Sequence, residues 1–376
     1  MDIGIPKETF RGENRVALSP MAVSELVGRG HNTWVEEGAG HASNYTDSDY
    51  ARAGATIVYS PEEAFGRAQL VAKVQRPGPK EDDLLGRQQV LFSYLHLAAA
   101  RQDQVQTLLE KGVTAIGYEI IAEDDGELPL VKVFSDIAGQ MCLPIASRCL
   151  EARSGGRGIL LGGAPGVPPA EIVIIGAGNV GRSAARTAIG LGASVTLLDQ
   201  NVNQLRRALR HSPGTLVTAI ATPRHIEKAL SYADVLIIAV SVGGGGRAPI
   251  VVSRQMVRSM KQGAVIIDIS VDQGGAVETT RPTTLDDPIY VDEGVVHYCV
   301  PNLTASVPRT ASRVLTNAAL PFVLEIAQEG LDVALRHHRA LARGVFTYRG
   351  HCCNSEIAEL FGLDHEPLGE LLEGTT

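Results

Sequence analysis

The most specific chemistry in the chain is carried by Gly176-Ala177-Gly178-Asn179-Val180-Gly181, which directly follows the apolar run Ile172-Val173-Ile174-Ile175 and opens a helical pattern. In that setting each glycine has its own task. The first permits a sharp turn, the second lets main chain approach a pyrophosphate, and the third lets helix and strand pack closely, with the helix N-terminus facing the phosphates. Asp199 ends the next strand pattern, about 20 residues on, where a carboxylate accepts from an adenosine ribose. An acid there repels a 2′-phosphate, so the pattern favours NAD, while Arg206 and Arg207 are the nearby groups that would serve NADP. A glycine-rich turn in some other βαβ unit is the plainer reading. Strand, helix and acid together argue against it.

A second set of residues is spread over the first hundred positions: Arg15 within Glu13-Asn14-Arg15-Val16-Ala17-Leu18, Lys73 on the strand pattern Val71 to Val74, and His96 within Tyr94-Leu95-His96-Leu97. Taken singly, Arg15 reads as a surface cation, Lys73 as a side chain reaching out from a strand end, and His96 as a packed core residue. Position shifts that reading. Lys73 and His96 both stand near the carboxyl ends of strands, where open α/β sheets hold their ligands. Asp272, just past the strand pattern ending at Ile269, is placed to face the same cleft, or else caps the turn that follows. A bidentate arginine suits a planar carboxylate, a lysine adds a point charge, and a histidine exchanges protons near neutral pH.

Positioning these residues takes two sheets. At 376 residues with 44% hydrophobic and 20% charged content, the chain is long enough for two ordinary cores. A net charge of −8 without acidic or basic blocks excludes a nucleic-acid scaffold. No apolar run approaches the roughly 20 residues of a membrane helix, and the N-terminus lacks a signal-peptide pattern, so a cytoplasmic protein without a membrane partner is expected. The odd count of 5 cysteines, with no paired spacing, fits reduced thiols. His351-Cys352-Cys353 lacks the ligand spacing of a closed zinc site, and no metal is expected.

Strand patterns at Ile3 to Ile5, Thr33 to Val35, Thr56 to Tyr59, Leu70 to Val74, Gln89 to Leu97 and Thr114 to Ile121 alternate with helical ones, as in a buried parallel sheet. A helix is expected over 135–151, then an irregular stretch to Pro169. Five more strands, from Glu171 to Ile269, alternate with helices in a doubly wound pattern. The tail from Ser312 to Arg343 reads as helical, interrupted at Pro321, with no strand of its own. The expected fold is α/β, with two doubly wound Rossmann-like domains and a cleft between them.

Further stretches carry a family resemblance: Ile5-Pro6-Lys7-Glu8, Glu13 to Leu18, Tyr94-Leu95-His96-Leu97-Ala98, Gly155-Gly156-Arg157-Gly158, Asp272-Gln273-Gly274-Gly275, Arg281-Pro282-Thr283-Thr284, His297-Tyr298-Cys299-Val300 and Val307-Pro308-Arg309-Thr310. Along nearly its whole length the chain resembles the family of alanine dehydrogenases and the NAD-binding part of proton-translocating transhydrogenase. The resemblance implies reversible, NAD-dependent oxidative deamination of L-alanine to pyruvate, ammonia and NADH. It implies that Arg15 and Lys73 hold the substrate carboxylate, that His96 and Asp272 are the acid/base groups, and that Ser135 and Asn302 join the glycine turn in binding NAD. A discontinuous catalytic domain (1–130 plus 306–376) around an NAD domain (131–305), and a homohexamer, are also implied. The chain departs from the family pattern at Phe134, Gln140, Pro144, Ala221, the Gly243-Gly244-Gly245-Gly246-Arg247 loop and Leu303 to Ser306. Phe134 and Leu303 motivate an alternative: the same reaction on a different small amino or imino acid, since an apolar pocket separates small groups only modestly. A transhydrogenase-like NAD(H)-binding partner protein is the further alternative.

Overall fold

The computed structural model describes residues 1–212, 214–240 and 248–374, and only the main chain of Asp272. The Gly243 to Arg247 loop therefore lies outside the described residues. The strands described are, in chain order, β1 (Asp2–Ile5), β2 (Asn32–Glu36), β3 (Thr56–Val58), β4 (Leu70–Gln75), β5 (Val90–Tyr94), β6 (Thr114–Gly117), β7 (Glu171–Ile175), β8 (Ser194–Asp199), β9 (Val217–Ile220), β10 (Val235–Ile238), β11 (Val265–Asp268), β12 (Ile289–Asp292), β13 (Val295–Tyr298), β14 (Val345–Tyr348) and β15 (His351–Cys352). The chain divides into two compact units, Met1–Phe134 with Ala305–Thr376, and Ser135–Thr304.

In the first unit β1 to β6 lie in the order β3-β2-β1-β4-β5-β6, all parallel. The order reverses between β1 and β4, and open sheets bind ligands beyond the carboxyl ends at such a reversal. Helices cover both faces, so β5 is buried at every residue, which explains its unbroken apolar run.

Two strands are shorter than their apolar patterns suggest. β5 ends at Tyr94 because His96 turns to φ 44° and Leu97–Ala99 coils into a 3-10 turn; β6 ends at Gly117, ahead of a second such turn at Tyr118–Ile120. Leu95, Leu97 and Ile121 stay buried after the main chain has left the sheet. The apolar pattern follows burial and overshoots the strand.

The C-terminal tail corrects the expectation at Pro321. The helix Pro308–Glu329 runs through Pro321 and ends at Gly330, at φ 85°. Pro321 withholds one hydrogen bond, from the carbonyl of Asn317, while buried Leu315, Ala319, Phe322 and Ile326 keep the helix docked. Beyond it, β14 pairs antiparallel with β6 and β15 antiparallel with β14. Strands this short have no pattern of their own; the open edge of β6 recruits them.

The second unit orders its strands β9-β8-β7-β10-β11-β13-β12, parallel as far as β13, with β12 antiparallel at the edge. Alternate residues of β7 and β10 feed two cores, Ile172, Ile174, Val235 and Ile237 on one face and Val173, Ile175, Leu236 and Ile238 on the other. The β12–β13 hairpin, absent from the sequence expectation, turns on Glu293 (φ 52°) and Gly294 (φ 75°), the positive-φ pair a tight hairpin needs. Both units are thus α/β and doubly wound. Among the described residues no helix is long and apolar enough to cross a membrane.

Candidate active site

At the carboxyl ends of β1 and β4 the first unit gathers charge. Lys73 is 0% exposed, and its ammonium lies 2.9 Å from Glu81, 3.5 Å from Glu8 and 3.4 Å from the carbonyl of Lys7. An ammonium has three donors, so these neighbours account for all of them. Glu81 is itself fixed, accepting from Gly78 N at 2.7 Å and Thr9 Oγ1 at 2.9 Å. Glu8 accepts from Val74 N at 2.6 Å and from Gln75 N at 3.3 Å. Burial pushes the Glu8 carboxyl up to about 7, against the pull of Lys73. Burial works to lower the Lys73 ammonium, but the charges of Glu8 and Glu81 outweigh it and hold it above its ordinary value.

Arg15 stands in a loop tied to the helix Pro308–Glu329: Val16 N donates to Ser312 Oγ at 2.9 Å, and Ser19 N to Thr316 Oγ1 at 2.9 Å. Its guanidinium is nearly buried and grips Glu13 with two bonds, Nε at 2.7 Å and Nη2 at 2.5 Å. Gln75 Nε2 donates to the same carboxylate at 2.9 Å. Burial alone would raise Glu13; the bonds and charge of Arg15 outweigh it and leave the carboxyl below its usual range. Gln75 therefore joins the two groups, its side chain on Glu13 and its main chain on Glu8. The sequence expectation paired Arg15 with Lys73. The structure gives each cation its own carboxylates and places Gln75, which the sequence did not single out, beside the Arg15 partner.

An aromatic row continues from this loop. The Arg15 guanidinium lies 4.5 Å from the Phe134 ring centroid, Phe134 sits 5.7 Å from Tyr94, and Tyr94 stacks on His96 at 5.6 Å and 12°. Tyr94 is anchored through its hydroxyl to the carbonyl of Leu130 at 2.6 Å. His96 is exposed. That removes the packed-core alternative for this residue.

In the second unit the reversal of strand order, between β7 and β10, is lined by main chain. Gly176 turns at φ 104°, and a Cβ there would sit 2.3 Å from the carbonyl oxygen of Ala239; a Cβ on Gly181 would sit 1.8 Å from the carbonyl oxygen of Gly176. At Gly178, which caps the helix Asn179–Gly190, a Cβ would meet nothing within 4 Å. Two glycines thus serve packing, and the third leaves the main-chain approach a pyrophosphate requires. The residues present fit a dinucleotide.

Asp199 accepts from Ala177 N at 2.6 Å and from Asn201 N at 2.7 Å, so it also braces the glycine turn. Arg182, without a signal in the sequence, donates to the carbonyl of Ala177 and to Gln204 Oε1, both at 2.8 Å, and bonds the Asn179 side chain. Val180 lies in the first turn of the helix. Ser135 stands on the helix Pro129–Cys149, and Asn302 holds φ 54° two residues before Thr304, whose hydroxyl lies 3.5 Å from it. Asp272 belongs to the 3-10 segment Ile269–Gln273, and its side chain is outside the described residues. That segment is shaped by buried Asp268, which accepts from Ser270 N, Ala276 N and Thr280 Oγ1 at 2.8 to 3.0 Å.

Two family models match, Alanine dehydrogenase/PNT N-terminal domain at residues 4–138 and C-terminal domain at residues 142–355. An alanine dehydrogenase of Mycobacterium tuberculosis is 43% identical over 96% of this chain and 97% of its own length; one of Bacillus subtilis is 43% identical over 99% and 98%. A solved L-alanine dehydrogenase structure aligns with a TM-score of 0.91 at 43% identity, covering 96% of this chain and 99% of that one. A transhydrogenase from Sinorhizobium meliloti, with a TM-score of 0.80 at 21% identity over 95% of this chain and all of its own, shares the fold. Matched by both domain models and by relatives over nearly its whole length, the chain belongs to the alanine dehydrogenase/PNT family.

Proposed function

We propose that this chain catalyses the NAD-dependent, reversible oxidative deamination of L-alanine, in which alanine, NAD⁺ and water give pyruvate, ammonium, NADH and a proton. The observation that carries the reading is identity of 41–43% to alanine dehydrogenases over 96–99% of this chain. Gly176, Gly178, Asn179, Val180 and Gly181 hold the pyrophosphate, Asp199 accepts from the adenosine ribose, and Ser135 and Asn302 complete the cofactor contacts. When bound, NAD would supply the hydride acceptor for oxidation at the substrate Cα. Arg15 holds the substrate carboxylate, and Lys73 adds positive potential from within its setting of Glu8 and Glu81. His96 exchanges protons with the reacting nitrogen and the attacking water, sharing that work with Asp272. The protein acts in the cytoplasm as a homo-oligomer, a hexamer.

Phe134, with its ring against both Arg15 and Tyr94, favours a second reading in which the side-chain pocket is shaped for another small amino or imino acid. One experiment tests both readings: NADH formation from NAD with a panel of L-amino acids at alkaline pH. A kcat/KM optimum at alanine supports the first, an optimum at another side chain the second, and no NADH from any of them overturns both.

A further inference from the structure

The turn carrying His96 is gripped from both sides by opposite charges. Glu119, in the 3-10 turn after β6, takes the N–H of His96 at 2.6 Å and the N–H of Leu95 at 3.2 Å. Arg76, one residue beyond β4, donates to the carbonyl of Leu95 at 3.4 Å and to the carbonyl of Ala99 at 3.5 Å. Between them His96 holds φ 44° and ψ 48°, a left-handed conformation that only a few per cent of non-glycine residues adopt, histidine more often than most. β4, β5 and β6 are consecutive in the sheet, so the parallel register brings the ends of the outer two against the end of the middle one. The carboxylate occupies donors that a strand-to-turn transition leaves over, and the guanidinium occupies the acceptors. With Tyr94 stacked on the ring, main chain and imidazole are both held.

We propose that Glu119 and Arg76 are positioning residues for His96, a charged clamp that fixes the left-handed turn and so the direction in which the imidazole exchanges protons. The assignment rests on the acid/base role proposed above for His96. Neither clamp residue touches the reacting atoms; both act through the main chain of the turn. A misplacement near 1 Å in a proton-transferring group costs on the order of 10²-fold in rate, which sets the scale expected.

The test is a double-mutant cycle on the full-length protein, following NADH formation, with the melting temperature taken on each preparation. Glu119→Gln keeps size and one acceptor oxygen but drops the charge, and Arg76→Met keeps the apolar stem. Each is expected to lower kcat about 10- to 100-fold with KM for NAD within about twofold of wild type. In a His96→Asn background, itself slower by about 10² to 10⁴, either substitution should change kcat by less than about twofold, because the group it aims is gone. A packing role would instead lower stability and cost the same factor in both backgrounds, which overturns the clamp. An unchanged kcat in both single variants also overturns it. Should Glu119→Gln fail to fold, Arg76→Met on the other side of the turn carries the same cycle. If His96→Asn keeps the wild-type kcat, the acid/base reading of His96 falls and the clamp with it; if His96→Asn is slow and the clamp variants are additive with it, the clamp alone falls.

Discussion

At the carboxyl ends of β1 and β4 the first unit packs charged side chains, whereas at the carboxyl ends of β7 and β10 the second unit presents main chain and glycine. The six parallel strands follow the same order in both, three on each side of the reversal. The topology supplies a reversal; what fills it decides the ligand chemistry. In the first unit Glu8, Glu13, Glu81, Arg15 and Lys73 form a buried network whose members fix one another. In the second, the absence of a side chain at Gly178 makes the opening, the absence of one at Gly176 and Gly181 lets the turn pack, and Asp199 and Arg182 brace it from outside. A charged site is vulnerable to loss of a partner, a glycine site to gain of a methyl group.

That contrast can be broken most sharply at Lys73. Lys73→Met leaves Glu8 and Glu81 buried beside a methyl thioether and should cost about 3–5 kcal/mol of unfolding free energy, read by urea denaturation at pH 8. A loss below about 1 kcal/mol would mean that the network is incidental to the first unit.

Glu8 gives the next largest effect, and its sign is set by the raised carboxyl. The native state keeps a proton up to about pH 7 that the unfolded chain releases near 4.5, so this group's stabilisation is lost as pH climbs from 4.5 to 7. Wild type should lose about 3 kcal/mol over that window relative to Glu8→Gln. A flat difference between the two across that range rejects the assignment.

In the second unit the two glycines should behave oppositely. Gly181→Ala drives a Cβ toward the Gly176 carbonyl and should lower stability by about 1–3 kcal/mol. Gly178→Ala meets open space, so its melting temperature should match wild type while KM for NAD rises about tenfold or more. Equal effects on stability would erase the distinction between packing and opening.

Asp199→Ala is the mildest change. Loss of the ribose acceptor should raise KM for NAD by a factor equivalent to about 1–2 kcal/mol, with KM for the amino acid unmoved. An unaltered KM for NAD would leave Asp199 as a brace for Ala177 and Asn201 alone.

The sequence by itself determined the second unit's turn almost completely. Gly176 to Gly181 is contiguous, its shape follows from the missing side chains, and strand, turn and helix all lie within thirty positions of Asp199. The apolar runs likewise fixed the α/β class and most strand centres, because burial on both faces is written into each segment. Tertiary structure decided what depends on distant partners. Lys73 reads as a strand-end cation until Glu81 and Glu8 are brought to it, and His96 reads as a core residue until Glu119, 23 positions on, takes its N–H and turns it outward. β14 and β15 form only because β6 offers an edge, and the helix passes Pro321 only because its apolar side is already docked. A local pattern records what a segment buries. Pairing of charges, the hand of a single residue and the recruitment of short strands are free energies of contact between segments, and they exist only once the chain has closed on itself.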